Sequence, residues 1–235
     1  MKTISLLIFL LSFSMLANAQ AAKNKNVKRT LYHSHGISFQ RFDNLNKRVA
    51  ANSQFESLKS STGTFEFGVI TERNKSITGL CVNAGSSLSG NRNKKSSAIN
   101  YWGLASDVGY NLLKSNRLSL YPFAGIGYEK YKVIFNKDIS SVPFDSVLQN
   151  VNIQQQVQNI SFTNSFFIYR LGIGINVTSK KHLQNSVGLQ VGYTGSFSAY
   201  EWKINKSQTL FNSPDDNLSK IFTSIIIRYQ LNPKN

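Results

Sequence analysis

Apolar and polar residues alternate along much of this chain, most clearly in the segment FTNSFFIYRLGIGINVT at residues 162–178. The segment is nearly apolar but carries Arg170 in its middle, where a membrane helix would bury the charge at a cost of about 2.5–3.5 kcal/mol. Read at a period of two residues, one face holds Leu171 and Ile173, while the other holds Arg170 and Gly172. This pattern predicts a β-strand with one apolar face and one small or polar face.

The same periodicity predicts eight strands, bounded by polar turn residues. They span residues 31–42, 63–73, 76–88, 98–113, 117–136, 162–178, 186–204 and 220–231. The connections between them alternate between long and short, and the long ones include residues 43–62, 137–161 and 205–219. Outer-membrane barrels have an even number of strands, short periplasmic turns and long external loops. The sequence therefore predicts an all-β fold, an eight-stranded antiparallel up-and-down transmembrane β-barrel of the outer-membrane type.

The composition of the two strand faces favours this barrel over a soluble β-sandwich or a lipocalin-like barrel, which would show the same alternation. One face is aliphatic and aromatic, and the other is rich in glycine and carries charges of both signs. The charged residues of the second face are Arg170, Arg228, Glu66, Asp107 and Glu129. We expect them to form a paired, structural network inside a narrow lumen rather than the gate of a pore, because eight strands leave little free bore.

The chain divides into four parts. Residues 1–19 have the lysine, apolar run and small-x-small ending of a cleaved signal peptide. Residues 20–30 form a basic N-terminal segment, residues 31–231 the barrel and residues 232–235 a C-terminal tail. Cys81 is the single cysteine, so the exported chain is expected to be stable without an internal disulfide.

The formal net charge of +16 suggests that the protein binds anionic partners. Export argues against nucleic acid, and lipopolysaccharide phosphates and outer-membrane lipid are the partners that a basic outer-membrane protein would meet. We expect Arg92, Lys94 and Lys95, in the second external loop, to be candidate contacts for these phosphates.

Aromatic residues gather near the ends of the predicted strands and suggest two interfacial girdles. They are Tyr101, Trp102, Tyr110, Tyr121, Phe123, Tyr128, Tyr131, Tyr200, Trp202 and Tyr229.

The fifth, sixth and seventh predicted strands are longer than the bilayer requires. Their outer ends are therefore expected to project as a sheet whose exposed edge is able to bind an extracellular protein by strand addition through the long loops.

The sequence resembles the small OmpA/OmpX-like and PorT-like outer-membrane β-barrel families of Gram-negative bacteria. The resemblance lies in LANAQ at the end of the signal peptide and in four strand segments. These are YPFAGIGYEKY at 121–131, FFIYRLGIGINV at 166–177, VGLQVGYTGSF at 187–197 and the terminal IFTSIIIRYQL. The resemblance implies insertion by the outer-membrane assembly machinery, which reads a C-terminal strand ending in an aromatic residue. Here Tyr229 is followed by six further residues, QLNPKN, which departs from that pattern.

No pattern in the sequence assigns a catalytic, cofactor-binding or metal site. His33 and His35 face the same way on a strand, but no Cys, Asp or Glu at suitable spacing completes a zinc site. Ser34 points to the opposite face and therefore cannot pair with either histidine. We expect a monomeric, non-enzymatic outer-membrane protein with a structural or surface-interaction role. A lipid-modifying barrel enzyme, a small passive channel and a soluble secreted β-protein stay open as alternatives.

Overall fold

Eight long strands close into one antiparallel barrel in the computed structural model, which describes residues 27–91, 94–113, 115, 117–178, 185–204 and 208–231. The strands are β1 (Val27–Gln40), β2 (Ser61–Arg73), β3 (Ser76–Gly90), β4 (Ser96–Tyr110), β5 (Leu118–Asn136), β6 (Ile160–Thr178), β7 (Asn185–Ser196) and β12 (Ser219–Gln230). Each pairs with the next, and β12 pairs with both β7 and β1. The predicted eight-stranded antiparallel barrel is confirmed.

The long connections carry elements that the periodicity did not predict. These are the helices α1 (Asp43–Ala50), α2 (Phe144–Gln149) and α3 (Val151–Val157), and the short strands β8 (Tyr200–Glu201), β9 (Lys203–Ile204), β10 (Gln208–Thr209) and β11 (Asp215–Asp216). All of them lie in the connections β1–β2, β5–β6 and β7–β12, which leave the barrel at the end opposite the chain termini. Because outer-membrane barrels place their long loops outside the cell, this is the external end. None of the helices in the described residues is long and apolar enough to cross a membrane.

The seventh strand is shorter than predicted. The alternating pattern continued to residue 204, but β7 ends at Ser196, where Ser196 N donates to Leu218 O at 2.9 Å and the chain turns away. The next residues form β8, which pairs with β11, and β9, which pairs with β6 and β10. Among the described strands, β5 and β6, each of 19 residues, are much longer than the roughly 9–11 residues that a transmembrane strand needs, as expected, whereas β7 has 12 residues.

The outward face of the barrel is apolar over a band that matches a bilayer. On β5 the outward side chains run from Leu118 to Tyr128 before the first charged residue, Lys130. On β6 the band runs from Phe167 to Val177. A transmembrane strand needs about 9–11 residues, so these bands are long enough to span the hydrocarbon.

Two buried clusters fill the inside of the barrel. The one nearer the termini includes Tyr32, Ile70, Tyr121 and Phe123. The external one contains Phe42, Leu45, Val49, Leu58, Ile99, Tyr101, Tyr131, Val133, Phe135, Phe166, Ile168, Trp202 and Leu218. The side chains at the start of α1 therefore close the external mouth of the barrel.

The prediction that the aromatic residues form interfacial girdles is wrong for five of them. Tyr101, Tyr121, Phe123 and Tyr131 are buried inside the barrel, because they share strand parity with the inward glycines. Trp202 is also buried, between β8 and β9, rather than at a lipid interface. Trp102, Tyr110 and Tyr229 face outward and are about half exposed, as an interfacial girdle requires.

Ile173→Arg places a charge on the outward face near the middle of the band on β6. We expect it to lower the free energy of unfolding by about 2–4 kcal/mol, whereas Ser165→Arg, beyond the band on the same strand, costs about 0–1 kcal/mol. Equilibrium unfolding from lipid vesicles measures both values. Equal costs for the two variants would contradict the assignment of the band.

Candidate functional site

A cluster of opposite charges lies in the middle of the lumen around Arg170. Its Nη2 donates to Glu66 Oε2 at 2.9 Å, and Nη1 lies 3.5 Å from Asp107 Oδ2. Nη1 also lies 3.2 Å from the Cys81 sulfur, and the Tyr32 hydroxyl donates to Glu66 Oε1 at 2.6 Å. Three of the five charges expected in the lumen are thus brought together.

Backbone register explains why this cluster forms. Asp107 on β4, Gly125 on β5 and Arg170 on β6 are aligned in one row across the sheet. A Cβ atom at Gly125 would collide with the Asp107 carboxylate. The glycine between the two charged residues therefore leaves the space in which their side chains meet.

A second ion pair lies nearer the external mouth and includes a residue that the sequence analysis missed. Lys220 Nζ is 2.7 and 2.8 Å from the two carboxylate oxygens of Glu129. The Tyr131 hydroxyl donates to Glu129 Oε2 at 2.7 Å, Asn83 Nδ2 donates to Oε1 at 3.3 Å, and Lys220 lies over the Tyr101 ring at 4.4 Å. Lys220 shares strand parity with Arg228 on β12, and this parity was the signal that would have placed it in the lumen.

Arg228 forms a third layer and does not join the expected network. Within the described residues it has no carboxylate partner; its Nη2 donates to the Tyr121 hydroxyl, and its guanidinium lies 5.0 Å from the centre of that ring. With the Asn176 carboxamide turned so that its oxygen faces Arg228, this oxygen accepts from Nη2 at 3.0 Å and from Nη1 at 3.2 Å. Gln190 Nε2 donates to the Tyr121 hydroxyl at 2.9 Å. The single network expected from the sequence is in fact three separate layers.

Little space remains between the Arg170 and Lys220 layers. The cavity there has a volume of about 30 Å³ and is lined by side chains of both layers, among them Glu66, Glu129 and Thr194. This volume is enough for water but not for a substrate or ligand. The described lumen therefore has the arrangement of a packed, charge-paired interior.

A pocket of about 250 Å³ opens on the external part of the molecule, between α1, the outer ends of β5 and β6, and the β10–β11 connection. It is lined by Leu45, Arg48, Val49, Asn52, Phe55, Phe135, Ile160, Phe162, Leu210, Phe211, Asn212, Ser213 and Pro214. Most of these side chains are apolar, and the Phe211 ring is fully exposed to solvent. At the pocket, Arg48 Nη2 donates to Asn212 Oδ1 at 3.1 Å.

Asp216 holds one wall of this pocket in place. Its carboxylate accepts from the backbone N–H groups of Asn44 at 2.9 Å and Leu45 at 3.2 Å, in the first turn of α1, and from Trp202 Nε1 at 2.8 Å. Phe42, at the N-cap position, supplies no side-chain cap, so Asp216 satisfies these N–H groups from another loop. Burial raises the pKa of Asp216, while these three hydrogen bonds act in the opposite direction.

The other residues singled out in the sequence are dispersed. Lys95 Nζ lies 3.7 Å from Glu56 Oε2 and donates to Ser53 O at 3.3 Å, while Lys94 is exposed and Arg92 lies outside the described residues. The His33 and His35 rings pack on the outer wall against Tyr229 and Phe65, with centroid distances of 5.8 and 5.1 Å. The buried Ser34 lies on the opposite face of β1. Across the residues that the structure describes, no group of three or more His, Cys, Asp and Glu is placed to hold a metal ion.

Comparison with known proteins supplies the family. A family model described as the outer membrane protein beta-barrel domain matches residues 5–219. A major outer membrane protein from Thermus thermophilus is 12% identical with a TM-score of 0.52, over 86% of this chain and 99% of that chain. Ail, the attachment invasion locus protein of Yersinia pestis, is 12% identical with a TM-score of 0.49, over 87% and 98%. No curated protein sequence matches the chain. The likeness to the Thermus protein shows a shared barrel fold.

Glu129→Gln tests the buried pair. The substitution leaves the Lys220 ammonium buried without its counter-charge, so we expect the free energy of unfolding to fall by about 3–5 kcal/mol. Adding Lys220→Met removes the unpaired charge and restores most of the loss. Urea unfolding of the four proteins of this double-mutant cycle measures the coupling, and additive effects would contradict a direct interaction.

Asp216→Ala tests the anchor of α1. Loss of the cap should destabilise the docked helix by about 1–2 kcal/mol and increase proteolytic cleavage within residues 41–60. Asp215→Ala, which removes an adjacent but exposed carboxylate, is the matched control and should leave the cleavage rate unchanged. Similar cleavage of the two variants would show that Asp216 does not hold the helix.

Proposed function

Because the chain belongs to the family of the outer membrane protein beta-barrel domain, we propose that it is a non-enzymatic, non-conducting barrel that contacts a protein partner at the cell surface. The observation that carries the proposal is the contrast between the packed lumen and the open apolar pocket above it. The protein acts in the outer membrane, and the site available to a partner is at its external end.

The packed lumen supports a role other than transport. The side chains of Arg170, Lys220 and Arg228, with their partners, occupy three successive levels inside the barrel. Phe42 lies above them, 5.1 Å from the Trp202 ring and 5.2 Å from the Tyr131 ring. A hydrated ion would have to displace both the ion pairs and this aromatic cap.

The positions of the polar residues favour a non-enzymatic role. His33 and His35 contact aromatic rings on the outer wall, while Ser34 is buried on the inward face. A nucleophile and its base need to be within hydrogen-bond reach of each other. Within the described part of the chain, these residues do not provide such a pair.

The external pocket has the composition of a protein-binding surface. Contiguous exposed apolar side chains mark interaction sites, and Leu210 and Phe211 are adjacent exposed residues that line the pocket outside the bilayer band. Arg48 adds a positive charge at the pocket and suits a partner that presents an acidic group beside an apolar side chain. The β6 edge expected to bind a partner by strand addition is paired with β9 at Phe162 and Thr163, so the pocket is the more accessible feature.

Further parts of the proposal concern the envelope. Lys94 and Lys95, together with Arg92, contact lipopolysaccharide phosphates, and the barrel works as a monomer after insertion by the outer-membrane assembly machinery. Cleavage of residues 1–19 precedes insertion. The outward position of Tyr229 near the end of β12 supports recognition of the terminal strand despite the residues that follow it.

Planar-bilayer recording tests the non-conducting role. We expect no discrete conductance steps from the purified protein in membranes where a general porin, added as positive control, conducts. Discrete steps from the wild-type protein would overturn this part of the proposal.

Attachment of bacteria to layers of surface or matrix proteins tests the pocket. Cells producing the Leu210→Ser, Phe211→Ser double variant should attach several-fold less than cells producing the wild type, because the apolar contact is lost. Phe144→Ser removes an exposed aromatic residue of α2 that does not line the pocket and is the matched control. Equal attachment of all three strains would count against the pocket as a binding site.

A further inference from the structure

An open apolar groove of about 550 Å³ lies on the outer wall of the barrel, across β2 to β6. It is lined by Phe67, Gly68, Val69, Leu80, Cys81, Val82, Leu104, Ala105, Ser106, Ile126, Gly127, Tyr128, Phe167, Ile168 and Phe197. Gly68, Cys81, Ala105 and Gly127 are consecutive partners in the sheet register and have the inward parity. Their backbone atoms therefore form the floor of the groove, while the outward side chains of the same strands form its walls.

The groove is a depression in a wall that is otherwise convex. Leu104 and Ser106 face outward on β4 but are only partly exposed, whereas Ile225 on the opposite wall is 55% exposed. Inside the hydrocarbon band the natural occupant of such a depression is an acyl chain, since an empty apolar depression forfeits its dispersion contacts. A depression also gives a chain more contacts than the convex wall does.

Aromatic rings mark the external end of the groove. Tyr128 and Phe167 are in contact, with ring centroids 5.6 Å apart, at the end of the apolar band on β5 and β6. Phe197 N donates to Phe167 O at 3.1 Å, and the Phe197 ring lies 5.5 Å from that of Tyr169. Tyrosine and other aromatic side chains are enriched at the level of the lipid headgroups, so the groove begins immediately below that level.

Two lysines follow on the outward face of β5. Lys130 and Lys132 lie two and four residues beyond Tyr128, roughly 7 and 13 Å further along the strand at about 3.3 Å per residue. Among the described residues neither forms an ion pair, and Lys132 is exposed. Cations at this level are placed to neutralise a lipid phosphate.

We propose that this wall is a specific binding site for an anionic, acylated lipid of the outer leaflet. One acyl chain lies in the groove between Leu104 and Phe197, and the phosphate lies against Lys130 and Lys132. The site is separate from the external pocket and from the lumen, so it stands or fails independently of the proposed contact with a protein partner and of the non-conducting role.

Native mass spectrometry tests the site, with the full-length barrel in detergent micelles and purified bisphosphorylated lipid A as the probe. We expect a saturable 1:1 complex with the wild type. Lys130→Gln with Lys132→Gln should weaken it about tenfold, a change of about 1.4 kcal/mol. Ser106→Trp, which fills the groove, should abolish it. Zwitterionic phosphatidylethanolamine should form no saturable complex.

Two matched controls separate the groove from general effects. Lys28→Gln with Lys75→Gln removes the same charge from the end of the barrel near the chain termini, and Ile225→Trp adds similar bulk on the opposite wall. Both should bind lipid A as the wild type does, and heat-modifiable gel mobility verifies that every variant is folded. The proposal is overturned if binding is unsaturable, if Ser106→Trp binds normally, or if either control weakens binding as much as its partner variant.

Discussion

Closure of the sheet is the constraint on which the rest of this structure depends. β12 pairs with β1 from Gln230 to Lys220 and with β7 from Tyr229 to Ser219, so the last strand joins both ends of the sheet. In a bilayer the backbone N–H and C=O groups have no water to bind, and only a closed barrel satisfies all of them between strands. Closure also divides every strand into a lipid face and a lumen face, which determines where charge is tolerated.

The charged side chains of the lumen lie in separate layers, and this arrangement limits the cost of burying them. Arg170 is paired with Glu66 and Asp107, and Lys220 is paired with Glu129, in separate levels. Separation keeps each cation close to its own carboxylate, because a displaced partner would leave a buried charge uncompensated. The same packing that satisfies these charges fills the bore, so the features that stabilise the barrel interior also make it unsuited to transport.

The elements at the external end lie outside the bilayer and are held in place by side-chain contacts. Asp216 caps α1 from a distant loop, and Phe42 then packs between Tyr131 and Trp202. These contacts close the mouth and at the same time form one wall of the apolar pocket. The helices were not predictable from strand periodicity, because the short α1 segment is held by a residue far from it in sequence.

The sequence by itself determined the barrel, its strand number, the lipid face and the inward position of Arg170, because a period of two residues assigns every strand residue to one side. It did not determine which charges meet. The pairing of Glu129 with Lys220 depends on strand register and on the distance across the lumen, as does the lack of a carboxylate partner for Arg228 among the described residues. Only the closed tertiary structure fixes these, since residues of equal parity on different strands are brought to the same level by the pairing of neighbouring strands.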